Sequence, residues 1–143
     1  MKVSKKTAII AVDLQKSLTM PGGNNYYETA TEMMDRVAEN LNKMREKGAL
    51  IIYIWTKTQL SSGLTCAAPA INPDLEGRVL SKKTDEMLEL DDRLRVVPEK
   101  DLVICKHTYS AFWGTPLLEA LEQNGIENVV VCGIKTNICC RQT

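Results

Sequence analysis

The sequence predicts a single α/β domain of 143 residues: an open, mainly parallel sheet flanked by helices, in a Rossmann-like three-layer arrangement. Two observations carry this. Four apolar runs rich in β-branched residues lack polar alternation, as in strands covered on both faces. Amphipathic helical segments separate some of those runs, giving strand–helix–strand order.

The predicted strands are TAIIAVD (7–13), ALIIYIWT (49–56), DLVICK (101–106) and NVVVCG (128–133). Between the first two, Ala30, Met33, Met34, Val37, Leu41 and Met44 recur at spacings of three and four, predicting a helix over 29–47. Thr29 and Glu32 form a candidate capping box at its start, and Gly48 is the expected stop. A shorter helix is expected over 115–124, with Thr115 as N-cap, Pro116 in the first turn and Gly125 as terminator. The stretch 57–100 is irregular. It reads either as a lid or binding loop, or as coil around a short helix near 84–90.

Composition narrows the function classes. Hydrophobic residues make up 44% and charged residues 25%, which suits a packed globular domain. Eighteen acidic side chains balance eighteen basic ones and no basic stripe occurs, so nucleic acid is not an expected partner. The apolar run 8–12 is broken by Asp13 and is too short for a signal peptide core. No run reaches the ~18 apolar residues of a membrane span. A cytoplasmic protein without a membrane partner is expected. The five cysteines are an odd count without regular spacing, and no CxxC or histidine cluster suggests a metal. His107 is the only histidine, which excludes mechanisms that need two. No GxGxxG follows the first strand, which argues against a dinucleotide site.

In a parallel sheet, ligands bind beyond the carboxyl ends of the strands. The first strand ends at Asp13, the third at Lys106, and the fourth turns through Gly133 towards Cys139. Taken singly, a strand-end Asp is more often a turn residue, a Lys a solvated group and a Cys a packing residue. Together they are complementary. A free thiol is only about 3% thiolate at neutral pH. A nearby ammonium lowers its pKa, a carboxylate can accept its proton, and a helix starting at Cys139 would favour the anion further. Such a set activates a nucleophile without histidine.

These residues fall within motifs that resemble the isochorismatase-like cysteine hydrolases. The Lys106-to-Phe112 stretch KHTYSAF, the strand VVVCG and the turn GIKTNIC resemble that family's nucleophile region. VDLQ resembles its Asp-x-Gln strand end. The motifs run from residue 7 to 143. The resemblance implies Cys139 as nucleophile, Asp13 as general base and Lys106 as the stabilising cation. It also implies a cis peptide joining Ile134 to Lys135, and an oxyanion hole built from the backbone N–H groups of Lys135 and Cys139. Cys140 stands where relatives carry an apolar residue and is expected to pack. Weaker expectations place Gln15, Tyr109, Phe112, Trp113 and Asn137 against substrate. An alternative has Phe112 and Trp113 filling the core beneath helix 115–124.

The implied reaction is hydrolysis of an amide, ureido or carbamoyl C–N bond of a small molecule through a thioester, with no cofactor. The segment 56–70 has neither Asp nor His, unlike the metal cluster of nicotinamidase-type relatives, and isochorismatases proper generally lack the cysteine. Relatives continue past the nucleophile with a helix and a further strand, so a C-terminally truncated domain is expected, its fourth strand uncovered on one face. Relatives also lead to the expectation of a homo-oligomer. Competing readings are a catalytically silent domain acting by association, a nicotinamidase- or isochorismatase-type relative, and a redox protein using Cys139 with Cys140.

Overall fold

The computed structural model describes residues 3–23, 25–57 and 85–143. Its strands are β1 (Thr7–Val12), β2 (Leu50–Thr56), β3 (Leu102–Lys106) and β4 (Asn128–Gly133). Its helices are α1 (Lys16–Thr19), α2 (Glu28–Glu46), α3 (Asp85–Leu88) and α4 (Leu117–Gln123). A wide π-type turn over Thr136–Cys140 follows β4.

All four strands are parallel, in the order β3-β2-β1-β4. The chain builds outward from β1 to β3 and then returns to lay β4 on the other side of β1. The resulting change of direction opens a crevice between the carboxyl ends of β1 and β4, where α/β sheets bind ligands. Every residue of β1 is buried, as its unbroken TAIIAV run requires of the strand beneath both helical layers.

Two apolar layers cover the sheet. On one face Ala30, Met34 and Leu41 of α2 pack against Ile9, Ala11, Ile51 and Tyr53. On the other, Leu117 and Leu121 of α4 cover Ala8, Ile10, Val12, Ile52, Ile54 and Ile104. Each such buried Leu, Ile or Met contributes roughly 1.5–3 kcal/mol relative to exposure. The opposite ends of the core are tied by charge. Arg45, at the end of α2, grips the fully buried Asp101 carboxylate through two hydrogen bonds of 2.8 and 2.6 Å, and also donates to the Tyr53 hydroxyl.

Local expectations fare unevenly. Gly48 closes α2 at φ +89°, and Gly125 closes α4 at φ +60°. Helix α4 starts one position later than expected: Pro116 is its N-cap, not Thr115, although Thr115 Oγ1, one residue ahead, accepts from the Leu117 N–H at 3.2 Å. The Thr29–Glu32 capping box is absent. Helix α2 begins one residue earlier, its N-cap is Tyr27, and no side chain caps it. Of the irregular stretch, 58–84 lies outside the described residues; beyond it comes the single turn α3, and Leu90 then bridges to Gln15. Phe112 and Trp113 do not fill the core beneath α4. Trp113 is 74% exposed, while the neighbouring Ala111 is fully buried there. On β4, Val129 and Val131 are exposed at 43% and 37%. No helix among the described residues is long and apolar enough to cross a membrane.

Gly133 is where β4 comes closest to β1. Its φ is +131°, and a Cβ there would lie 2.0 Å from the Val12 carbonyl oxygen. The obstacle is backbone in the neighbouring strand, which cannot swing aside. Gly133→Ala is expected to destabilise the fold by about 2–4 kcal/mol, read as a lower urea midpoint. A wild-type midpoint would show that β1 and β4 are not this close.

Candidate active site

Each strand delivers one polar side chain to the same rim of the sheet. In spatial order these are Lys106 from β3, Thr56 from β2, Asp13 just past β1, and Cys139 from the turn after β4. The parallel register sets their level: Thr56 pairs with Lys106, and Val12 with both Ile54 and Gly133.

Asp13 adopts φ +54°, the left-handed region, which an Asp tolerates better than most side chains. That kink ends the strand, sends Leu14 into the core and keeps the carboxylate at the sheet's end. Lys106 is fully buried. Its ammonium makes three contacts: Asp13 Oδ2 at 2.9 Å, Thr56 Oγ1 at 2.6 Å and the Thr108 carbonyl at 3.1 Å. All three of its donors are therefore satisfied, which a buried ammonium requires. The Thr56 hydroxyl in turn donates to Asp13 Oδ1 at 2.6 Å. Carboxylate, hydroxyl and ammonium form a closed triangle.

Cys139 lies close enough to Asp13 and Lys106 to feel both charges, and packs on the α4-side core with Cys140. Burial above all, and the Asp13 carboxylate next, push its thiol up to about 12, against the pull of Lys106. This corrects the expected depression of the thiol pKa. Lys106 is already neutralised by Asp13, so the sulfur faces a paired ammonium and a desolvating wall. Nor does Cys139 begin a helix; it is the fourth residue of the Thr136–Cys140 turn. The resting form is thus a thiol beside a carboxylate base. Burial and Asp13 raise the Cys140 thiol as well.

The peptide between Ile134 and Lys135 is cis. The Lys135 carbonyl accepts from the N–H groups of Ile138 and Cys140, at 3.2 and 3.1 Å. The Lys135 N–H, just before the turn, makes none of the backbone hydrogen bonds described around it. It is left available as a donor.

The remaining candidates scatter. Gln15 is buried with its carboxamide committed to backbone, accepting from the Thr56 N–H at 2.8 Å and donating to the Leu88 carbonyl at 2.6 Å. It ties β1, β2 and α3 together and presents no free amide to a ligand. Tyr109 and Phe112 are partly exposed in the segment after β3, and Asn137 is exposed on the Cys139 turn. His107 turns away, its Nδ1 2.8 Å from the Lys57 carbonyl oxygen. No three His, Cys, Asp or Glu side chains converge to hold a metal among the described residues. Most of 56–70, on which the metal reading rests, lies outside them. Thr56 is the residue that sequence reasoning missed. Its position ending β2 is the signal for it, a faint one because a hydroxyl carries no charge.

A parallel four-stranded sheet covered by a helix on each face defines an α/β class. The isochorismatase domain model matches residues 7–143, and the chain belongs to that family. It is 29% identical to the ureidoacrylate amidohydrolase RutB of Azorhizobium caulinodans, over 97% of this chain and 68% of that protein. A cysteine hydrolase from Pseudomonas syringae pv. phaseolicola 1448A superposes with a TM-score of 0.83 at 25% identity, over 97% of this chain and 64% of that one. N-carbamoylsarcosine amidase from Thermoplasma acidophilum gives 0.75 at 27% identity, over 96% and 73%.

The raised thiol pKa has a measurable signature. Iodoacetamide labelling of Cys139 should climb about tenfold per pH unit from 7 to 10, because the thiolate fraction is still rising throughout. Asp13→Asn removes the charge that raises the pKa and leaves Lys106 unopposed, so the profile should move to lower pH. Peptide mass mapping reads both; a profile that levels off near pH 8, or one unmoved by the Asn, would contradict this electrostatic account.

Proposed function

We propose that the chain is the catalytic domain of a cysteine hydrolase that cleaves the C–N bond of a small amide, ureido or carbamoyl compound. The observation that supports this most is the buried Asp13–Lys106 pair at 2.9 Å, with Cys139 on the adjoining turn near enough for both charges to act on its thiol. RutB and N-carbamoylsarcosine amidase are named for ureido and carbamoyl compounds, which makes that class the first to test.

In this mechanism substrate binding aligns a carbonyl carbon with Cys139 Sγ. The thiol proton moves to Asp13 as the S–C bond forms, and the carbonyl becomes an oxyanion held by the N–H groups of Lys135 and Cys139. Collapse breaks the C–N bond, and Asp13 hands its proton to the departing amine or ammonia. Water then attacks the thioester, giving a proton to Asp13. When the C–S bond breaks, that proton returns to sulfur and the acid leaves. Lys106 stays charged throughout, holding the carboxylate in place and offsetting the negative charge that develops beside it. Thr56 fixes the second carboxylate oxygen.

The enzyme is proposed to act in the cytoplasm and as a homo-oligomer; the exposed Val129 and Val131 favour burial of the β4 face in association. In an ammonia-release assay over ureido and carbamoyl acids, Cys139→Ser and Asp13→Asn should each lower kcat/KM by about a thousandfold or more. An acyl adduct on the Cys139 peptide should be trapped by rapid acid quench. Unchanged turnover in Cys139→Ser would remove the nucleophile from this scheme.

A further inference from the structure

The kink at Asp13 leaves a gap in the sheet, and one side chain fills it. Strands β1 and β2 pair as far as Val12 with Ile54, and the Asp13 N–H donates to the Ile54 carbonyl at 2.9 Å. Backbone groups of successive strand residues face opposite neighbours. Lys57 turns to β3, its N–H donating to the Lys106 carbonyl at 3.0 Å, so the N–H and carbonyl of Thr56 turn the other way. They point to where β1 would lie had it run on, but β1 has left the sheet at the +54° φ of Asp13. The Gln15 carboxamide stands in for the missing peptide. Its Oε1 accepts from the Thr56 N–H at 2.8 Å, and its Nε2 donates to the Thr56 carbonyl at 3.2 Å and to the Leu88 carbonyl at 2.6 Å. Only this orientation of the amide works, since a flip would set donor against donor and carbonyl against carbonyl.

The backbone that Gln15 holds carries the hydroxyl shared by both charged groups. Thr56 Oγ1 accepts from the Lys106 ammonium and donates to Asp13 Oδ1, each at 2.6 Å. A hydroxyl has a single proton to give, so it can serve both partners only from one place between them. Gln15 is itself buried, and breaking its bonds would strand the Thr56 backbone groups away from water. A displaced Thr56 would then release one oxygen of the carboxylate.

We infer that Gln15 is a positioning residue that acts through Thr56: its amide replaces the peptide lost at the Asp13 kink and so seats the hydroxyl that orients the Asp13 carboxylate. This rests on the hydrolase reading for the work Asp13 does, but the seating itself can be measured without turnover. Two consequences separate it from a substrate contact and from a general prop. Loss of the amide falls on kcat and leaves KM nearly alone, because Gln15 presents nothing to a ligand. The loss also requires the Thr56 hydroxyl, so it vanishes where that hydroxyl is already gone.

The test is a double-mutant cycle on the full chain, read by ammonia release and by iodoacetamide labelling of Cys139. Gln15→Met keeps the side-chain length without its hydrogen bonds, and Thr56→Val keeps the shape without the hydroxyl. Each should lower kcat by about ten- to a hundredfold with KM changed less than about twofold. Combined, they should cost little more than Thr56→Val alone, while Thr56→Ser, which keeps the hydroxyl, should retain most of the rate. A carboxylate without its hydroxyl donor presents more negative charge to the sulfur, so both single variants should label about threefold more slowly at a given pH between 7 and 10. Additive losses, or a Gln15→Met effect confined to KM, would overturn the inference. If Gln15→Met does not fold, Gln15→Glu takes its place. Its neutral acid keeps the acceptor and one donor and its anion has no donor, so its deficit against wild type should widen about tenfold from pH 5 to pH 8. A deficit that ignores pH would count equally against the inference. If wild-type protein released no ammonia, the hydrolase reading would fail while the labelling cycle still decided the seating of Thr56.

Discussion

Every candidate catalytic contact depends on one buried ion pair, Lys106 with Asp13, made at the carboxyl rim of a parallel sheet. A buried ammonium and carboxylate are costly to desolvate and persist only when their remaining donors and acceptors find partners. Here the partners come from the strands themselves. Thr56, on the strand between them, touches both charged groups, and the Thr108 carbonyl takes the last ammonium proton. Two strands separate the lysine from the nucleophile's turn, so the long aliphatic stem of Lys106 does the spanning. A shorter cation at that position could not reach. Burial raises the Cys139 thiol first and the Asp13 carboxylate second, and an ammonium already paired with that carboxylate offsets little of either.

The same logic recurs at the other end of β3. Asp101 stands just before that strand and is held by Arg45, while Lys106 ends it. An edge strand with Val103 half exposed is thus clamped at both termini by buried charge. Edge strands are exposed to fraying and to mispairing, and ionic ties at each end suppress both. Arg45 also donates to Tyr53 on β2, so the amino-terminal clamp holds helix, central strand and edge strand together.

Much of this was legible in the chain's letters, and the misses share a cause. Continuous apolar β-branched runs placed all four strands to within a residue or so, although only β1 and β2 are covered on both faces; β3 and β4 leave Val103, Val129 and Val131 exposed. Strand-end position singled out Asp13, Lys106 and Cys139, and the topology brings their ends to one rim. What the sequence could not show was who stands next to whom across the register. Thr56 matters only because it lies level with Lys106, a fact of pairing and not of residue type. The thiol was expected to be acidic because the cation was counted without its partner. Trp113 was a candidate for the core, yet Ala111 occupies that place, since the tight turn before α4 brings a small residue inward. At α2 the helix starts one residue before the Thr29 capping box, with Tyr27 flanking it.

The glycine contact between β4 and β1 has a temporal side. Asp13 follows β1 and Cys139 follows β4, so the proposed nucleophile and base meet only when β4 docks alongside β1. That docking joins segments separated by nearly the whole chain, and such long-range pairings form late because loop closure precedes their reward. Until it happens the reactive sulfur has no proton acceptor beside it. Assembly of the sheet therefore doubles as a safety catch for the proposed chemistry: until β4 is in place the thiol and its candidate base stay apart, and one docking step brings them together.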